Sequence, residues 1–214
     1  MKNIKLTKND IYRALEERQG KTLTEALSHA RVAICGLGGL GSNVAVMLAR
    51  AGVGSLHLID FDAVDITNLN RQNYTVQQLG RYKTDALCEY LLSVAPFCNI
   101  KSEIVKLNEE NICDILCDDS IICEAFDSAE TKAMLVDLII EKYPEKYIVS
   151  GSGMAGIGSA NKMQTRRVGK RLYICGDEIS DAYEETALLS SRVMLCAAHE
   201  AHMIIRLIAG EYNV

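Results

Sequence analysis

Proline is nearly absent. The two that occur, Pro96 and Pro144, each follow a helix-like run, where a missing N–H and a fixed φ stop a helix. No segment repeats. No apolar stretch reaches about 18 residues, which excludes a transmembrane helix. The opening MKNIKLTKNDIYRALEERQG lacks the apolar core of a signal peptide. No run of Lys and Arg marks a nucleic-acid surface, and the net charge is −5, so neither nucleic acid nor a membrane is expected as a partner. None of the eight cysteines forms C-x-x-C; the nearest pair, Cys113 and Cys117, is spaced i, i+4. Without a secretion signal they point to a reducing cytoplasm and read as small buried hydrophobes.

What is present suffices for one sizeable core: 214 residues, 49% of them hydrophobic, hardly enough for two domains. A single nucleotide-binding unit is expected over residues 1–214, opened by a helical arm at 1–30. Helix-like and strand-like runs alternate. Strands are expected at 31–35, 55–60, 98–107, 120–126 and 146–153, with a β-hairpin turning near Gly169. Helices are expected from Asn43 to Gly52, at 83–96, 109–117 and 129–143, and in a long closing run at 186–210. The strand runs read as apolar on both faces, which predicts a mainly parallel sheet covered on both sides. The fold class is therefore α/β: a Rossmann-like doubly wound sheet with a short hairpin and a long C-terminal helix.

The chemistry begins at ICGLGGLGSN, Ile34 to Asn43. Gly36, Gly38 and Gly41 form G-x-G-x-x-G, the spacing of a loop that cradles a nucleotide pyrophosphate at a helix N-terminus. Asp60, 19 residues after Gly41, suits a ribose hydroxyl. A nicotinamide enzyme would fit this much. It would also need a second nucleotide half and a substrate domain, for which the remaining chain is too short. The loop after Asp60 is unusually polar: Asp60, Asp62, Asp65, Asn68, Asn70, Arg71 and Gln72, then Lys83 and Asp85.

GLGGLGS, DFDAVDITNLNRQ, GRYKTDAL and FDS, in that order and spacing, resemble the ThiF/MoeB/HesA adenylyltransferases, relatives of the ubiquitin-activating enzymes. The resemblance runs from about Gln19 to Gly210. The short chain, with SGSGMAG and LYICGDE, is most similar to the compact bacterial ThiF type, which activates the sulfur carrier ThiS of thiamine synthesis. The resemblance implies adenylation of the C-terminal glycine of a small β-grasp carrier ending in Gly-Gly, with ATP and Mg2+ and release of pyrophosphate. It assigns Gly36, Gly38, Gly39 and Gly41 to the nucleotide, with Asp60, Asp62, Asn68 and Gln72. Arg71 and Lys83 fall on the triphosphate. Asp127, ending the fourth strand, is the candidate for magnesium; Asp127 or Ser128 can also cap the helix at 129. The family's homodimer lends an arginine to the partner's site, here Arg18, which precedes a Gln, or Arg13.

The sequence also departs from the family. Glu124 replaces the first aspartate of the strand-end segment and receives no role. Leu172 stands where larger relatives have a zinc cysteine, so no zinc site is expected. His199 and His202, at i, i+3, read as helix-face histidines. Cys175 is the candidate for sulfur transfer, with a buried strand cysteine as the alternative. Molybdopterin-carrier activation, tRNA modification, a non-catalytic carrier-binding protein and a nicotinamide-binding protein are the other readings.

Overall fold

The computed structural model describes residues 6–180 and 187–214. Seven strands form one sheet in the order β3-β2-β1-β4-β5-β7-β6. These are β1 (Arg31–Cys35), β2 (Ser55–Asp60), β3 (Asn99–Ile104), β4 (Ile121–Glu124), β5 (Tyr147–Gly151), β6 (Gln164–Val168) and β7 (Leu172–Gly176). All neighbours pair parallel except β6 with β7, the expected hairpin. It turns at Gly169, whose φ of +70° favours glycine.

Along β1 the side chains alternate between two cores. Val32 and Ile34 join a cluster with Leu27, Leu87 and Val193, whereas Ala33 and Cys35 join one with Ile112, Leu135 and Ile139. The first face is covered by α2 (Lys21–His29), α3 (Gly39–Ala51), α4 (Lys83–Val94) and α7 (Ser190–Ile208), the second by α5 (Ile112–Ile115) and α6 (Ala129–Lys142). Period-2 burial on both faces explains the continuous apolar strand runs.

The helix ends follow local chemistry. In α1 (Lys8–Gln19), Thr7 and Asp10 form a reciprocal capping box. Pro96 and Pro144 lie just past α4 and α6, and Gly52 closes α3 with φ +91°. Gln164–Gly176 and Ser190–Ile208 match the expected hairpin and closing helix, but Thr186, where that helix was expected to start, lies outside the described residues. One expectation is corrected. β3 is not apolar on both faces: it is an edge strand, four of whose six residues are exposed, and Lys101 and Glu103 pair along it at 2.5 Å. Charged edges protect a sheet from pairing with other chains.

Candidate functional site

β1 pairs with β2 on one side and β4 on the other; Cys35 lies opposite both Ile59 and Glu124. The connections from β1 and β4 leave in opposite directions, so the C-terminal ends of these strands flank a crevice, the usual ligand position in an open α/β sheet. The glycine loop occupies it. A Cβ on Gly36 would lie 2.9 Å from the Ala125 carbonyl oxygen, and one on Gly41 would lie 1.9 Å from that of Gly36. Gly36 lets the loop close against the β4 exit, and Gly41 lets α3 close against the loop. Gly38 differs: a Cβ there would meet nothing nearer than Gln72 Nε2 at 3.9 Å, which leaves room for a ligand against the backbone. α3 starts at Gly39 with no side-chain cap, so its first N–H groups and the positive end of its dipole face the crevice.

Asp60, the last residue of β2, is buried. One of its oxygens accepts the Leu37 N–H at 2.6 Å and the other the Asp62 N–H at 2.7 Å. Burial pushes its carboxyl up, while those two bonds and the Lys83 charge pull the other way. Asp60 therefore organises the loop as well as lying beside it. Asp62 is half exposed and binds Lys83 Nζ at 2.9 Å. Lys83 opens α4 almost wholly buried, so its ammonium is aimed rather than mobile.

The segment after β2 is stitched to α3. The Asn43 side chain donates to the carbonyls of Gly39 and Arg71, Asn73 donates to Ser42 and Asn43, and the Tyr74 hydroxyl donates to the Leu37 carbonyl at 2.7 Å. These bonds bring the Arg71 stem within 3.6 Å of a Cβ position on Gly39. Its guanidinium donates to Thr67 and Asn70. Asn68 accepts the Asp65 N–H and shapes the short 3-10 turn at Ile66–Asn68. Gln72 is buried, and its Oε1 has no hydrogen-bond partner among the described residues. An acceptor orphaned beside an open glycine backbone fits a donor on a bound molecule.

At the exit of β4, Ala125 and Phe126 pack on Gly36. Asp127 follows, exposed, and Ser128 rather than Asp127 caps α6. Among the described residues the Asp127 side chain is therefore not engaged as a helix cap. Glu124, which received no role from its sequence, is fully buried: it accepts the Phe126 N–H at 2.8 Å and Ser150 Oγ at 2.5 Å, and pairs with Lys132. It sets the shape of the β4 exit.

The structure therefore brings Gly36, Gly38, Gly39, Gly41, Asp60, Arg71 and Gln72 together, ties Lys83 to Asp62, and places Asp127 directly after the Ala125–Phe126 pair that packs on Gly36. It does not bring Arg18 there. Arg18 is exposed on α1, whose Gln19 donates to the Ala51 carbonyl at the far end of α3, a helix roughly 20 Å long. Cys175 lies inside β7, buried, and burial raises its thiol to about 12, so it is held as an unreactive thiol, in line with the buried strand cysteine rather than the sulfur-transfer reading. His199 bonds Thr165 Oγ1 at 2.9 Å, and among the described residues no group of three or more His, Cys, Asp or Glu side chains is placed to hold a metal. No helix there is long and apolar enough to cross a membrane. Asn43, Asn73 and Tyr74 escaped the sequence reading, although they continue the GSN and NLNRQ segments.

Comparison with known proteins agrees with this geometry. The chain is 32% identical over 133 residues to the "Adenylyltransferase and sulfurtransferase UBA4" of Scheffersomyces stipitis, covering 62% of this chain and 30% of that protein. To the Candida glabrata protein of the same name it is 28% identical over 194 residues, covering 87% of this chain and 44% of the other. The chain thus spans less than half the length of these relatives. Among solved structures it resembles the Escherichia coli tRNA N6-threonylcarbamoyladenosine dehydratase TcdA in complex with AMP, with a TM-score of 0.85 and 18% identity over 97% of this chain and 98% of the other. That likeness supports the Rossmann-like fold. The ThiF family matches residues 12–213, nearly the whole sequence, and the chain belongs to that family.

Proposed function

We propose that the protein is an ATP-dependent adenylyltransferase that activates the C-terminal glycine carboxylate of a small β-grasp carrier ending in Gly-Gly, a ThiS-type sulfur carrier. The observation that carries this reading is the convergence at one crevice: the uncapped start of α3, Arg71 packed beside Gly39, and Asp127 at the β4 exit. A carboxylate oxygen attacks the α-phosphorus, the bond to the bridging oxygen breaks, and pyrophosphate leaves. Two anions must meet, so the site needs aimed cations and N–H donors. Gly38 gives the backbone access, α3 supplies N–H groups, and Gln72, whose Oε1 has no partner among the described residues, would accept from a ribose hydroxyl together with Asp60. Arg71 forks onto phosphate oxygens. Lys83, held by Asp62, neutralises triphosphate charge. Asp127 would hold magnesium, which keeps most of its waters and needs few carboxylates. When bound, that ion neutralises the departing pyrophosphate.

Names of the UBA4 relatives include adenylylation and sulfur transfer; the complexes of TcdA with AMP and ATP support an adenine nucleotide. Only the adenylylation is carried over, because Cys175 is buried with its thiol raised. The deciding experiment is ATP–pyrophosphate exchange with a panel of purified carriers ending in Gly-Gly. Exchange should require a carrier, Asp127→Ala should abolish it in a folded protein, and Arg71→Ala should lose roughly 2–4 kcal/mol of transition-state stabilisation. Exchange by Asp127→Ala at the wild-type rate would reject the metal assignment. Elemental analysis after dialysis should find no stoichiometric zinc.

A further inference from the structure

A second concavity lies at the other end of the sheet. It is an open cleft of about 530 Å³, lined in part by Tyr147, Arg167, Lys170, Arg171, Glu211 and Tyr212. Tyr147 is the first residue of β5, and the cationic residues flank the turn before β7. Both strands run parallel to β4 and β1, so the cleft sits at strand N-termini, whereas the glycine loop sits at strand C-termini.

Four cations fall within Arg166–Arg171, and the fold separates their fates. Arg166 is neutralised by Glu178 at 2.9 and 2.5 Å. Arg167 donates to the carbonyls of Lys170 and Tyr212, which fix its guanidinium without cancelling its charge. Arg171 lies over the Tyr147 ring at 4.4 Å, and Lys170 is exposed. Against these three cations the lining has one carboxylate, Glu211, itself 4.0 Å from Arg206. A chain of net charge −5 thus keeps a cleft of net +2, three cations less one anion. Tyr212 stacks on Tyr147 at 5.7 Å and 14° and is 44% exposed. It is preset: Tyr173 donates to its carbonyl at 2.9 Å, and Arg206 donates to that of Asn213.

Three cations against one carboxylate in the cleft lining call for an anionic ligand. Arginine and lysine heads suit phosphate, and an exposed tyrosine ring edged by cations suits a planar base. The volume falls within the roughly 300–1,000 Å³ of small-molecule sites. We propose that this cleft is a second ligand site for a phosphorylated nucleoside of mononucleotide size, with Lys170, Arg171 and Arg167 facing the phosphate and Tyr212 stacking on the base. The ligand is either a free mononucleotide or the terminal nucleotide of a strand.

The test is calorimetric titration of the full chain with CMP and GMP at two salt concentrations. One nucleotide per chain should bind, more weakly at higher salt. Lys170→Glu and Arg171→Gln should each weaken it at least tenfold, and Tyr212→Ala at least threefold. Carrier-dependent ATP–pyrophosphate exchange should be unchanged in all three, so this inference and the proposed activity fail independently. Titration with a 5′-phosphorylated ribo-oligonucleotide separates the sources: tighter binding than CMP assigns the strand end, weaker binding the free nucleotide, and both support the site. Absence of nucleotide binding, binding indifferent to Lys170→Glu and Arg171→Gln, or equal competition by inorganic phosphate or a hexaglutamate peptide would overturn the proposal.

Discussion

Asp60 reaches back 23 residues to accept the Leu37 N–H at 2.6 Å, and so ties the glycine loop to the end of β2. Its second oxygen accepts the Asp62 N–H. One carboxylate thereby shapes the loop before any nucleotide arrives. In Asp60→Asn, an amide NH2 must face one of those N–H groups, leaving buried donors unpaired. The expected loss is about 1–3 kcal/mol of stability, read by urea denaturation, together with weaker ATP binding. Weaker ATP binding at unchanged stability would show that Asp60 acts on the ligand alone.

Glu200, in the middle of α7, is fully buried, and neither oxygen has a hydrogen-bond partner among the described residues. Burial pushes its carboxyl well above the ordinary range; the Lys132 charge opposes this and that of Glu124 adds to it. The buried thiols of Cys123, Cys175 and Cys196 also feel its charge. A carboxyl raised by folding binds its proton more tightly in the native state. Its contribution is complete below the unfolded pKa and is lost as pH rises through the folded one. Stability should fall with rising pH above the ordinary glutamate range, by up to about 1.4 kcal/mol per pH unit from this group. Glu200→Gln should remove that slope and melt higher than wild type at alkaline pH. Identical slopes would place the proton elsewhere.

The sequence showed elements whose pattern is local. The glycine spacing, the apolar strands, the hairpin turn at Gly169 and the proline stops all depend on neighbours within a few residues. It did not show bonds that cross the fold. Tyr74 meets Leu37 across 37 positions and Asn43 meets Arg71 across 28, and no periodicity records such pairs. Asp60 was legible as a carboxylate at a strand end, but not its hold on two backbone N–H groups. β3 misled because an edge strand needs apolar residues on neither face as strictly as a central one. Cys175 was legible as a buried strand cysteine, and it lies inside β7.

Asp119 joins three strands. It accepts Arg31 Nε at 2.6 Å and lies 2.8 Å from His57 Nδ1, whose other nitrogen is 3.1 Å from Glu103. Burial alone would raise its carboxyl, but the bonds from His57 and Arg31 outweigh burial and hold it below the ordinary range. A depressed carboxyl contributes stability above its unfolded pKa and loses it as pH falls through the folded one. The protein should therefore weaken below about pH 4, and Asp119→Asn should flatten that acid limb. Breaking a buried pair from one side should also cost about 3–5 kcal/mol at neutral pH. Circular-dichroism melts at several pH values check both. An acid limb unchanged in Asp119→Asn would assign it to other carboxylates.

Arg18 is exposed in the last turn of α1. Its helix, α1, buries none of its residues within the chain, although helices in proteins draw most of their stability from tertiary packing. Arg18 cannot serve its own crevice, because α1 lies at the far end of α3. A second copy would cover α1 and could bring Arg18 to the partner's triphosphate; a symmetric dimer is the commonest such assembly. Arginine suits the task, being permanently charged and bidentate toward phosphate. Arg18→Ala and Asp127→Ala should each be inactive alone. In a mixed dimer, the subunit carrying Arg18→Ala keeps its own Asp127 and receives a wild-type Arg18 from its partner, while the other site lacks both. Random subunit exchange yields half mixed dimers with one working site of two, so about a quarter of wild-type exchange should return. Should Arg18 act within its own chain, every site of the mixture lacks one group and nothing returns. Sedimentation of the wild type as a monomer would reject the shared site outright.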